Sequence, residues 1–90
     1  MAKTIYKYPL VIDDEQTIDL PFEAKVIHVG YDPAGTLCVW AEVNPNNPPQ
    51  PHVFYVRGTG HPFTGQEGQH IGSVVDSLNF LVWHIYNGSL

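Results

Sequence analysis

Arg57 is followed directly by Gly58-Thr59-Gly60-His61-Pro62, which sets a guanidinium, a hydroxyl and an imidazole within five positions of one another. An imidazole beside a hydroxyl is the minimum for a base and the group it activates, so a small hydrolase using His61 is one reading of the motif. Ligand capture is the other. Successive backbone N–H groups in a Gly-rich bend form an anion-binding concavity. Arg57 can fork onto a phosphate there, with His61 donating a further hydrogen bond and Tyr55 or Trp40 stacking on a base. Tyr55, Arg57, Gly58, Thr59, Gly60, His61 and Trp40 are therefore the candidate ligand- or partner-binding residues. No residue is assigned a catalytic role, because the motif has no evident nucleophile or carboxylate pair, and no phosphate-loop pattern ending in Gly-Lys-Ser/Thr accompanies it.

The other chemistry-bearing residues point elsewhere. Five histidines invite a metal reading, and His52, His61 and His70 recur every nine residues. None of the close spacings that put two ligands on one element occurs, so no metal and no cofactor is expected. His28 and His84 fall within strand patterns and read as ring-packed structural histidines. Cys38 is the only cysteine, which excludes an intramolecular disulfide and a Cys-based zinc cluster; in a strand it reads as an inert buried thiol. With a net charge of −5 and Lys3, Lys7, Lys25 and Arg57 as the only fixed cations, the chain lacks the basic surface that phosphate backbones require. Nucleic acid is not expected as the main partner. No apolar run approaches the roughly 20 residues of a membrane span, and no secretory signal pattern opens the chain.

The elements that must position these residues are strands. Ninety residues suffice for one domain, 1–90, that buries about two thirds of its unfolded surface. Eight glycines, eight prolines and only 14% charged residues suit short strands joined by tight turns. Lys3 to Ile12 reads as a first strand, with Pro9 marking an edge or bulge, followed by a turn at Asp13-Asp14-Glu15 and a short strand Thr17–Leu20. Ala24–Tyr31 and Thr36–Val43, joined by Asp32-Pro33-Ala34-Gly35, form a β-hairpin in which Val26, His28 and Gly30 share one face. Asn44–Pro51 reads as a stiff exposed loop, Val53–Arg57 as a strand, Gly58–Gln69 as a glycine-rich loop, and Ile71–Val75 as another strand. Phe80–Tyr86, apolar on both faces, reads as a central strand, with a helix over Ser77–Tyr86 as the competing possibility. Six to seven short strands predict an all-β fold, a small antiparallel sandwich or barrel.

The blocks Lys3-Thr4-Ile5-Tyr6-Lys7-Tyr8-Pro9-Leu10, Asp14-Glu15-Gln16-Thr17-Ile18, Trp40-Ala41, Gly58-Thr59-Gly60-His61-Pro62, Ile71-Gly72-Ser73-Val74 and Leu81-Val82-Trp83-His84 span nearly the whole chain. In that order the sequence resembles small uncharacterised proteins of tailed bacteriophages and prophages. The resemblance implies a phage origin and expression in a bacterial host cytoplasm, and brings no activity with it. Small phage proteins without enzymatic motifs often bind host proteins, so the expectation is a non-enzymatic accessory protein, such as a counter-defence inhibitor, that takes a host protein or a small anionic ligand. The alternatives are the His61 hydrolase and a structural or virion-associated oligomeric module. Tyr6, Tyr8, Trp40 and Tyr55 suit a protein contact surface, and a Tyr-rich edge strand suits a homo-oligomer.

Overall fold

The structure, a computed structural model, describes residues 3–88. These form seven antiparallel strands: β1 Thr4–Pro9, β2 Glu15–Pro21, β3 Lys25–Tyr31, β4 Leu37–Val43, β5 Pro49–Gly58, β6 Gln69–Asp76 and β7 Leu81–Asn87. They make two sheets, a three-stranded one in the order β1-β4-β3 and a four-stranded one in the order β2-β5-β7-β6. The fold is all-β, a small sandwich without barrel closure, and the described residues contain no helix.

Alternation places the core. Leu37, Val39, Ala41 and Val43 of β4 pack against Leu20, Phe54, Val56, Val74 and Ile85 of the other sheet. Trp40 and Glu42 face outward. The β3–β4 hairpin forms as expected, closed by a loop in which Asp32 Oδ1 accepts the N–H groups of Ala34 and Thr36 while Gly35 takes a φ of 83°. Its facing differs from simple alternation. A bulge between Val26 and His28 turns Val26 to the core side with Val29, and leaves His28 and Gly30 on the outside opposite Trp40 and Cys38.

Pro49, Gln50 and Pro51, expected in a loop, belong to β5 and pair with Pro21, Leu20 and Asp19 of edge strand β2. Prolines at alternate positions lose donors on one side of a strand only, and β7 pairs with β5 no further than Phe54, so the ladder survives. Phe80 lies in the turn before β7 rather than in the strand. The helix over Ser77–Tyr86 does not form; β7 is a strand held between β5 and β6.

The two sheets approach each other on one side through β3 and β6, where Val29 occupies the space that a side chain at Gly72 would need. On the opposite side lie the edge strands β1 and β2. Tyr6, on the same face as core residue Ala41, is 44% exposed there.

Candidate functional site

The outward face of the four-stranded sheet carries most of the sequence-predicted residues. Tyr55 and Arg57 on β5 stand beside Tyr86 and His84 on β7, their register partners, and Ser73 and His70 on β6 continue the same two rows. Residues 59–68 cross this face. Tyr55 and Arg57 are consequently only 7% and 6% exposed although they point away from the core.

Arg57 is held in place by the chain itself. Its Nε and Nη2 reach Glu67 Oε2 at 3.1 and 3.0 Å, and its Nη1 donates to the carbonyls of Asp14 and Val56 at 2.7 and 3.2 Å. The guanidinium also lies 5.1 Å from the centre of the Tyr55 ring. Glu67 completes the arrangement by accepting the N–H groups of Thr64 and Gly65. Burial pushes its carboxyl up, but hydrogen bonds from the backbone of Thr64, of Glu67 itself and of Gly65, together with Arg57, outweigh this and bring it down to about 2. The pair staples the loop to β5. All three guanidinium nitrogens have acceptors within the chain, so the expected fork onto a phosphate has no free donor face. Sequence reasoning missed Glu67; the Thr64-x-x-Glu67 spacing, which lets a carboxylate reach back to an N–H three residues earlier, is the local signal for it.

The Gly58-Thr59-Gly60-His61-Pro62 segment is a closed turn. His61 N–H donates to Gly58 O at 3.0 Å, Gly58 N–H donates to His61 Nδ1 at 3.1 Å, and Gly60 takes a φ of 90°. Thr59 N–H donates to Val82 O at 3.3 Å. Three amides of the anticipated anion concavity thus point at internal acceptors. His61 is exposed, and the Thr59 hydroxyl meets His84 Nε2 at 2.9 Å rather than His61. The base-and-hydroxyl pair of the hydrolase reading is therefore not assembled. Trp40 lies on the other sheet, on its outer face, with its ring 5.3 Å from that of His28. It cannot stack on anything held at the turn.

His84, read as ring-packed, instead joins two hydroxyls: Thr59 through Nε2 and Ser73 through Nδ1 at 2.8 Å. His70 Nε2 lies 3.0 Å from the same Ser73 oxygen. His52, His61 and His70 do not gather, because His52 faces the core beside Phe54; among the described residues no three His, Cys, Asp or Glu side chains are placed to hold a metal ion.

Two hollows flank the turn. One, of about 430 Å³, is lined by Asp14, Glu15, Tyr55, Arg57, His61 and Pro62 among others. Its carboxylates face an arginine already neutralised by Glu67, a field unsuited to an anion. The other, of about 320 Å³, runs from Thr59 and His61 to Phe80, Leu81 and Trp83. Beyond it the β6–β7 turn presents Leu78 and Phe80, 90% and 93% exposed, the most exposed large apolar side chains described. Phe80 holds a φ of 56°, the left-handed region that bulky residues rarely enter.

The pattern of one domain family covers residues 1–90. The chain belongs to the DUF7352 family, a domain of unknown function. No curated protein and no solved structure matches it. The DUF7352 domain thus brings no inherited assignment of chemistry to this end of the sheet. Among the described residues no helix is long and apolar enough to cross a membrane.

Proposed function

We propose that this protein is a non-catalytic binding module that docks a protein partner through the end of the four-stranded sheet formed by the β6–β7 turn and the Gly58–Pro62 turn. The observation that carries this reading is the pair Leu78 and Phe80, almost wholly exposed beside a hollow bordered by His61, Leu81 and Trp83. Apolar side chains of this size held out in water are costly, and aromatic anchors of this kind supply most of the energy of protein interfaces. The partner surface is an apolar pocket. The four fixed cations of the chain, Lys3, Lys7, Lys25 and Arg57, lie outside this turn, and its nearest ionic group is Asp76, so an anionic bilayer is a poor match.

In the setting that the phage resemblance suggests, the module is an accessory protein acting on a host protein in a bacterial cytoplasm, and interference with host defence is the expected role. Capture from host lysate by immobilised protein, quantified by mass spectrometry, tests this. The expected result is a discrete host protein retained by the natural sequence and lost with Leu78→Ser/Phe80→Ser. Retention unchanged in the double variant, or no protein retained by either, overturns it.

A further inference from the structure

We propose that His70 and His84, with Ser73 between them, form a binding site for a late first-row divalent metal ion such as Zn2+ or Cu2+. The site adjoins the docking end through Thr59 but uses none of its exposed apolar side chains. Imidazole nitrogens from two neighbouring strands aim at a single point: His84 Nδ1 lies 2.8 Å and His70 Nε2 3.0 Å from Ser73 Oγ. Ser73 pairs directly with His84 across the β6–β7 ladder, and the register shift between His70 and Gly72 brings His70 round to the same point. A bulge that re-aims a side chain beside a cross-strand neighbour is how sheets commonly build sites.

His84 is already held for this task, and His70, whose Nε2–H donates to Ser73 Oγ when that hydroxyl donates to His84 Nδ1, reaches it by shifting its proton to Nδ1. The Thr59 hydroxyl meets His84 Nε2 at 2.9 Å; when Nε2–H donates to that hydroxyl, the lone pair sits on Nδ1, facing the shared point. Fixing a ligand imidazole through its second nitrogen is the usual outer support of a metal site. His70 is braced by Tyr86, whose ring lies 5.1 Å from it at a steep angle, and Tyr86 is in turn packed edge-on by Phe63 at 5.2 Å. Metal–nitrogen bonds of about 2.0–2.1 Å require each imidazole to close by less than about 1 Å once the Ser73 hydroxyl rotates to another staggered position. Two imidazoles favour Cu2+ over Zn2+ in the general affinity order. Water completes the coordination sphere, because the site is open to solvent.

Calorimetric titration of the full chain with Zn2+ and with Cu2+ tests the assignment. Saturable binding of one ion per chain is expected, tighter for Cu2+. His70→Ala and His84→Ala should each weaken it at least tenfold, whereas His61→Ala should leave it unchanged. Ser73→Ala should preserve binding, which sets a metal site apart from a purely structural hydrogen-bonded chain. No saturable binding, or equal weakening by His61→Ala, overturns the proposal. Should either histidine variant fail to fold, imidazole NMR of the natural sequence decides: ion-dependent changes confined to the His70 and His84 rings support the site, and changes centred on other histidines refute it.

Discussion

His52 shows how a single side chain couples this fold to acidity. It is 8% exposed, stacks near Phe54, and neither of its ring nitrogens has a hydrogen-bond partner among the described residues. Burial therefore lowers its pKa from the ordinary 6.5. The unfolded chain takes up a proton as pH falls through 6.5 while the folded chain resists it, so stability declines below that point. Thermal denaturation at pH 7.5 and 5.5 should show this loss, and His52→Leu should flatten the slope between them. Glu67 acts lower on the scale. Its carboxyl is depressed to about 2 in the folded chain, so the stability it contributes is complete above its ordinary value of 4.5 and is lost as pH falls from there toward 2. Arg57→Ala leaves that carboxylate buried without its cation, and should lower Tm by at least about 5 °C, whereas Arg57→Met/Glu67→Leu together should cost less than Arg57→Ala alone. At this scale the sequence was a partial guide. It singled out Arg57 and His61 as a pair, but the partner that fixes Arg57 lies ten residues further on, and side-chain pairing across a loop leaves no periodic trace.

The strands follow from alternation, and where the structure departs from expectation the cause is pairing rather than propensity. The β3–β4 hairpin was readable because Asp32, Pro33 and Gly35 specify its turn locally. The bulge at Ile27 was not, since it depends on which residue of β4 sits opposite. The same holds for β6, where the shift between His70 and Gly72 creates the imidazole convergence. Two element-level substitutions follow. Glu23 holds a φ of 65° in the turn that Ala24 N–H closes onto Pro21 O, so Glu23→Gly should relieve about 1 kcal/mol of left-handed strain and raise the denaturation midpoint. Gly72→Ala should do the reverse by about 1–3 kcal/mol, because the added methyl meets Val29 where the sheets come together. Chemical denaturation with the slope unchanged would check both.

Across the whole molecule, the slab measures 42 × 32 × 15 Å, with one side drawn together by β3 and β6 and edge strands β1 and β2 on the other. So thin a body has few fully covered side chains, and Leu78 and Phe80, almost wholly exposed, bury too little surface to help hold it. Leu78→Ser/Phe80→Ser should therefore leave Tm within about 3 °C of the natural sequence while reducing self-association at high concentration, as measured by sedimentation. The all-β class and the strand count were legible from turn residues and alternation, whereas which ends of which strands meet was not, since strand order is set by contacts between distant segments. Cys38 gives this architecture a built-in chronometer. It lies on central strand β4 between Pro9 and Gly30, is fully buried, and its thiol is pushed up by burial and by nearby Asp32. Its side chain faces the outer side of the sheet beside the Lys7–Asp32 ion pair, so at saturating reagent the labelling rate reports how often that outer cover opens, with no engineered probe.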